Sequence, residues 1–483
     1  MKSTIPILLL VGFGCNVIAQ PVDSLWSRMY GGTEVDLCKS VHETADGGFI
    51  LGGRTNFSPS DVDAWLVKTD VNGNAEWTRM LGGTLTEAAN DVVIRSGGGY
   101  AMAGLTTSYG AGQEDVYFAT YSAVGDPQAI SYWGGASWDM ANALVETTDG
   151  GFAIGGETRS FGAGESDFWL IKTDAAGEDQ WTQTFGGYSA EVCYAVQQLA
   201  DGGYALAGYT TSFGAGEADA WLVRTSSTGQ MLWSRTFGWG TNDVAYDMIK
   251  TSDGGFALAG HTQSGGSGER DFYLVKTDGN GTLEWVHTYG GAFDEFCYSL
   301  QQTSDGGYIL AGSTYSIGAG NDDVWLVRLS STGTILWSRT FGGGNTEYCE
   351  SVAVTSNGGF VLGGQTLSFG AIDWDIWLVR TGTDPALSVE DPSPIPSEFS
   401  LHPIYPNPFN NTANIAFDLP REGTGRLVVY DVLGRMTNTI YEGRIAAGSH
   451  SMQFNGNGLS SGTYFVRLET PAFTATQKAV LLK

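Results

Sequence analysis

Residues 201–237 read DGGYALAGYTTSFGAGEADAWLVRTSSTGQMLWSRTF, and this stretch decides the fold. Asp201-Gly202-Gly203 is a turn, and Tyr204 to Thr211 is an extended run after it. The loop Ser212-Phe213-Gly214-Ala215-Gly216-Glu217 leads into a second run, Asp219 to Thr225. Gly229 turns the chain again, into Met231 to Phe237. Upstream, Val192 to Leu199 supplies one more run of the same kind. These runs are rich in β-branched and aromatic residues and are divided by glycine, which predicts four antiparallel strands. None carries the 3.6-residue period of a helix.

The pattern recurs. The Asp-Gly-Gly-aromatic turn stands at Asp46, Asp149, Asp201, Asp253 and Asp305, with variants in register at Gly97 and Asn357. Successive turns are 51 residues apart once and 52 residues apart five times. The aspartate that opens the third strand recurs every 52 residues, at Asp63, Asp115, Asp167, Asp219, Asp271, Asp323 and Asp375. A fixed period of this length marks a repeat architecture. Four-stranded units in seven copies predict an all-β, seven-bladed β-propeller. The chain ends speak against a linear solenoid. The last copy stops after its third run, Ile376 to Thr381, and Leu25-Trp26-Ser27-Arg28-Met29-Tyr30 reads as a lone fourth strand. The N-terminal strand is therefore expected to complete the last blade and close the ring, leaving no sheet edge exposed at the ends.

Composition bounds the rest. The chain has 483 residues, 70 of them Gly, and a net charge of -28. That charge repels nucleic-acid phosphates and anionic membranes, so no nucleic-acid partner is expected. Residues 1–19 read as a secretory signal peptide, with Lys2, a short apolar run and Val17-Ile18-Ala19 at the cleavage site. Gly12 stands where a lipoprotein signal would carry Leu before Cys15. No stretch of the mature chain is long and apolar enough for a transmembrane helix. The propeller is assigned to residues 20–383 and a Pro-rich linker to 384–399. Residues 400–483 form a separate module with 5 acidic and 7 basic residues, so the acidity belongs to the repeats and linker. Cys38, Cys193, Cys297 and Cys349 share one repeat position with Ala89, Ala141 and Ala245. This reads as a small buried slot holding free thiols, a disulfide between neighbouring blades being the alternative.

The C-terminal module carries Tyr405-Pro406-Asn407-Pro408-Phe409-Asn410, then Ile415-Ala416-Phe417-Asp418-Leu419-Pro420. Val428-Val429-Tyr430-Asp431-Val432-Leu433-Gly434-Arg435, Leu459-Ser460-Ser461-Gly462-Thr463-Tyr464 and the terminal Lys478-Ala479-Val480-Leu481-Leu482-Lys483 follow. These motifs closely resemble the sorting domain of type IX secretion. The resemblance implies an Ig-like β-sandwich, the type IX secretion machinery as a partner through 400–483, and a location that is secreted or on the outer-membrane surface, reached via the periplasm. The repeats themselves resemble secreted bacterial propeller repeats of unassigned function. A fainter resemblance, to tryptophan-docking quinoprotein blades, runs through Thr69 to Trp77, but the turn there is a residue shorter and no quinone-binding set is visible.

Two acidic series are expected on one face of the ring. One is the third-strand Asp series; the other opens the first strand, at Asp36, Glu87, Asp139, Glu191, Asp243, Glu295 and Glu347. They read either as a polyanionic face for Ca²⁺ or a cationic partner, or as acceptors for backbone N–H groups of Gly-rich loops. Sevenfold recurrence favours the second reading. Departures from the repeat are the better guide to a ligand. Trp138 beside Asp139, Trp239 near Asp243, and Trp374 between Asp373 and Asp375 break the pattern. Loop indoles beside carboxylates read as a sugar-stacking surface, so the candidate ligand-binding residues are Trp138, Asp139, Trp239, Asp243, Asp373 and Trp374. Packing between loops is the competing reading. The five His residues occupy unrelated positions, no catalytic set stands out, and no cofactor is called for beyond Ca²⁺ as a candidate. The leading expectation is a non-enzymatic binding module for an extracellular glycan or protein. The alternatives are a polysaccharide-acting hydrolase or lyase, and a structural envelope protein.

Overall fold

The computed structural model describes residues 22–58, 61–369, 373–387 and 398–482, apart from 405, 411, 422, 446 and 447. The expected signal peptide and most of the expected linker lie outside these. The described chain is all-β, with no helix. It divides into two compact units, Met1–Leu387 and Ser388–Lys483.

The first unit consists of four-stranded antiparallel sheets of the kind that make propeller blades. In the stretch read first, the strands are Glu191–Gln198, Tyr204–Thr210, Asp219–Thr225 and Met231–Phe237. They pair in sequence order. The turn between the first two needs glycine: Gly202 takes φ +82°, which costs an L side chain but not Gly. There the Leu199 N–H donates to the Gly203 carbonyl at 2.8 Å, and the Gly202 N–H donates to the Leu199 carbonyl at 2.9 Å.

The sheet read first packs between two others, which explains its burial. The third strand Asp219–Thr225 is buried at every residue, whereas the fourth, Met231–Phe237, is mostly exposed. A strand covered on both faces reads as a nearly continuous apolar run and loses alternation. Phe168 and Leu170 of one sheet pack with Cys193, Val196, Leu206 and Trp221 of the next. Each such large apolar side chain contributes about 1.5–3 kcal/mol on burial. At the outer edge, Trp181 lies under the turn of the following sheet. A Cβ on Gly229 would come within 2.5 Å of the Trp181 ring, and Gly229 also sits at φ +78°. Glycine four residues before tryptophan recurs, as at Gly73 and Trp77, Gly229 and Trp233, and Gly281 and Trp285, and the indole of the preceding sheet crowds each of these glycines. Cys38, Cys193, Cys297 and Cys349 are free and buried.

The N-terminal strand Ser24–Tyr30 pairs antiparallel with Asp375–Thr383, with Arg28 opposite Leu378. It completes a sheet with Gly359–Thr366 and Glu347–Val354. First strands pack on the first strands of adjacent sheets, and Glu347–Val354 packs on Asp36–Glu43. Lys39 and Glu350 form an ion pair of 2.9 Å across that last contact. The unit continues past the end of the repeat. Asp384 is fully buried, accepting from Arg328 Nε at 2.6 Å and from Trp337 Nε1 at 2.9 Å.

The second unit has two antiparallel sheets. One contains Ser400–Leu401, Thr412–Leu419 and Gly448–Asn455. The other runs Met436–Ile445, Gly423–Asp431, Gly462–Glu469, Thr474–Leu481. Ile415, Phe417, Leu427, Val429, Phe454 and Val466 are buried in one core. The Asn407-Pro408-Phe409 motif is explained by the last strand. The Asn407 amide donates to the Lys478 carbonyl at 2.7 Å and accepts from the Val480 N–H at 2.8 Å. Phe409 is buried beside them.

Candidate functional site

The loops that precede the first strand and follow the second strand form a hydrogen-bonded belt. The Asp139, Glu191 and Asp243 N–H groups donate to the carbonyls of Glu114, Ser166 and Ala218 in the preceding sheet at 2.8, 2.9 and 2.8 Å. Ser108, Ser160 and Ser212 accept through Oγ from the backbone N–H groups of Leu85, Ser137 and Ser189 at 3.0, 3.0 and 2.9 Å. Ser264, Ser316 and Ser368 repeat the bond with Thr241, Phe293 and Asn345 at 3.1, 2.9 and 3.0 Å.

Both acidic series are built into this belt. Asp219 Oδ2 accepts from the N–H groups of Ala215 and Gly216, each at 3.0 Å. Asp167 and Asp323 do the same with their own Gly-Ala-Gly loops. In the other series, Glu191 accepts from the Thr210 hydroxyl at 2.8 Å and from the Gly187 N–H at 2.7 Å. The two series converge on the first glycine of each loop. A Cβ on Gly134 would lie 1.9 Å from Asp115 Oδ1 and 3.0 Å from Asp139 Oδ2. The same crowding recurs at Gly82, Gly186, Gly238, Gly290 and Gly342. Burial, then the neighbouring carboxylate, pushes the Asp115 and Asp219 carboxyls above the usual range. Among the described residues, no group of three or more His, Cys, Asp or Glu side chains is placed to hold a metal ion.

The candidate ligand-binding residues divide by exposure. Asp139 and Asp243 are both 0% exposed. Asp139 accepts from the hydroxyls of Thr158 and Ser160. Asp243 accepts from those of Thr262 and Ser264 and from the Trp239 N–H. Their carboxylates hold the loop and do not face solvent. The indoles do: Trp138 is 41% and Trp239 42% exposed. Arg159 lies 5.1 Å over the Trp138 ring, and the indole N–H donates to Gln113. Trp239 meets the edge of Tyr273 at 6.3 Å. Asp373 is exposed, and half-buried Trp374 stacks on Tyr348 at 5.4 Å. Among the described residues, no contact joins the three Trp sites, which belong to different sheets. They stand in a wider set of exposed aromatic residues on the belt, including Tyr109, Phe161, Tyr188, Phe213 and Phe293. Tyr188 and Phe213 line a surface pocket with Ala163, Ser189 and Thr211.

A second group was not read from the sequence. Every pairing of first and second strands carries the same bulge, as at Cys193/Ala195 and Ala245/Asp247. A bulge leaves one residue unpaired and re-aims its side chain. The bulged residues are Lys39, Asn90, Asn142, Tyr194, Tyr246, Tyr298 and Glu350. Tyr194 and Tyr246 are 5.2 Å apart between ring centres, as are Tyr246 and Tyr298. Just beyond the bulge, one second-strand position holds Arg54, Leu105, Glu157, Tyr209, His261, Ser313 and Gln365. No residue type occurs there twice. Alignment of the repeats shows this variability; what it cannot show is the bulge that turns the neighbouring side chain. Burial, with help from Arg270, lowers the His261 imidazole to about 4, so it is neutral at pH 7. Burial raises the Glu157 carboxyl.

Residues 403–482 match the family model described as the secretion system C-terminal sorting domain. Comparison with curated proteins gives no match. Among solved structures, the chain is similar to PorZ, a surface component of the type IX secretion system of Porphyromonas gingivalis, at 12% identity and TM-score 0.35, covering 95% of this chain and 70% of that one. It is also similar to Sqt1 of Chaetomium thermophilum, at 12% identity and TM-score 0.42, covering 71% and 82%. A neuraminidase-like protein of a flat-faced bat influenza A virus matches at 12% identity and TM-score 0.33, covering 59% and 86%. The C-terminal unit is a sorting domain of type IX secretion, and the protein that carries it is secreted or displayed on the outer-membrane surface.

Proposed function

We propose that the exported protein is a non-enzymatic binding module for a glycan or protein. In this reading residues 1–19 are the signal peptide and 20–383 a seven-bladed propeller closed by its N-terminal strand. Asp384 to Leu387 dock onto that propeller, and the rest of 384–399 is linker. Residues 400–483 are an Ig-like sandwich engaged by the secretion machinery. The exposed aromatic belt carries the binding reading. Trp138, Phe161, Tyr188, Phe213 and Trp239 are all at least 41% exposed on loops tied to one another by hydrogen bonds. Rigidly held aromatic surface at low entropy cost is what a sugar face or a protein hot spot engages. A hydrolase would need a carboxylate pair facing its substrate. The recurrent pairs here lie largely buried under their glycine loops, and Asp219 and Glu191 each hold at least one loop donor.

The test is a glycan-array screen of the full chain, with and without Ca²⁺, beside a folded Trp138→Ala, Trp239→Ala, Trp374→Ala variant. Binding to a glycan that the variant loses supports the reading. If neither protein binds a glycan, the glycan reading fails and a protein partner or a structural role takes its place.

A further inference from the structure

The inner position that never repeats a residue has a second property. Glu157 Oε2, His261 Nδ1, Ser313 Oγ and Gln365 Oε1 are buried atoms with no hydrogen-bond partner, and so is Arg54 Nε. Four of these side chains belong to residues at most 8% exposed. Buried polar atoms are almost always paired, and an unpaired one costs about 1–3 kcal/mol. Five such atoms at one register position are not scattered packing errors. They occupy the same place in five sheets, on strands whose inner neighbours pack in a cycle.

The surroundings are asymmetric. Tyr194, Tyr246, Tyr298 and Phe296 form one continuous aromatic side, with His261 5.1 Å from Phe296. The other side is polar. Lys39 pairs with Glu350, and the Gln365 amide donates to the same Glu350 carboxylate at 3.1 Å. Arg270, on the aromatic side, pairs with Asp294 at 3.0 Å. Lys39 and Arg270 are each taken up by a carboxylate, so neither is free to hold a charged ligand. The unpaired atoms include a donor (Arg54 Nε–H), acceptors (Glu157 Oε2, Gln365 Oε1) and a hydroxyl that can do either (Ser313).

We propose that the inner strands surround a binding site for a small neutral saccharide. Its hydroxyls would meet Arg54, Glu157, His261, Ser313 and Gln365, and its C–H face would lie on Tyr246 and its tyrosine neighbours. Mixed donors and acceptors opposite an aromatic wall match a pyranose, which carries hydroxyls at its rim and an apolar face. The site rests on the ring arrangement proposed above. It does not use the belt indoles.

The experiment titrates the full chain with a panel of neutral mono- and disaccharides, read by saturation-transfer NMR and by shift in Tm. At least one saccharide is expected to bind, and Gln365→Leu and Tyr246→Leu are each expected to weaken it by about tenfold or more. Tyr246→Phe should retain binding, which separates loss of the ring from misfolding. Trp138→Ala with Trp239→Ala should leave this affinity within about twofold, so failure here and failure of the belt reading are told apart. No saturation transfer from any saccharide overturns the proposal. So does binding that persists unchanged in a folded Gln365→Leu variant.

Discussion

Two positions in the repeat, a few residues apart in each sheet, behave in opposite ways. The acid that opens the first strand is Asp or Glu in every copy, and hydroxyls and loop N–H groups hold it, as at Asp243 and Glu191, with Asp36 keeping one oxygen unpaired. The inner second-strand position is a different residue in every copy, and five of its side chains keep a buried atom unpaired. The difference separates construction from use. An interaction needed to build each sheet is needed once per sheet, so it recurs. A ligand has no such symmetry, so the groups that would touch it differ from copy to copy.

The largest effect expected to probe this contrast is in the belt. Asp243→Ala strips the acceptor from Thr262, Ser264 and the Trp239 N–H, and should cost about 3 kcal/mol, read as a fall in denaturation midpoint. A loss within about 0.5 kcal/mol would break the structural reading of that acid.

Next comes Gly238→Ala. Its Cβ would meet Asp219 Oδ1 at 2.3 Å and Asp243 Oδ2 at 2.8 Å. Overpacking of this kind costs about 1–3 kcal/mol, and the variant should melt earlier than the wild type.

A third probe is pH. Burial, reinforced by the paired carboxylate, raises Asp63, Asp115, Asp167, Asp219 and Asp271. Burial also raises the inner Asp91 and Asp247 to about 6. A carboxyl raised in the folded state binds its proton more tightly there. Its stabilisation is present below the unfolded value of about 3.9 and is lost as pH rises through the folded value. Tm should therefore climb as pH falls from 7.5 to about 5. The turn aspartates act in the opposite sense. Burial alone would raise Asp46, Asp149 and Asp253, but hydroxyl and lysine donors outweigh it and hold them at about 2. Their stabilisation is present above about 3.9 and disappears as pH falls towards 2. Asp115→Asn, by removing one titrating member of a pair, should flatten the upper limb of the Tm profile. A profile unchanged by that substitution would show that the pair does not set it.

The smallest effect belongs to the inner position. Ser313→Ala should not lower stability and should raise it by up to about 1 kcal/mol, because the hydroxyl it removes is buried and unpaired. A drop comparable to that of Asp243→Ala would erase the contrast between the two positions.

Much of the repeat unit is legible in the sequence alone. Val192 to Leu199 was read for a strand that runs Glu191–Gln198, and Met231 to Phe237 was read without error. Glycine turns and apolar runs are local signals, and seven aligned copies reinforce them. Less of the candidate site was legible. Trp138, Trp239 and Trp374 stand out because they break the repeat, but which of their neighbours face solvent depends on contacts between loops. Asp384 looked like linker because the repeat had ended, although it is fully buried against Arg328 and Trp337.

The sequence by itself determined the strands, their order, the 52-residue unit and the nature of the C-terminal sorting module, because each rests on residues close together in the chain. Only the tertiary structure decided that the recurrent acids are spent inside the loops, that a bulge turns Tyr194, Tyr246 and Tyr298 into mutual contact, and that five polar groups are left unpaired beside them. Those facts depend on which atoms of neighbouring sheets come within hydrogen-bond or van der Waals reach. Residues 52 positions apart acquire that relation only when the sheets pack.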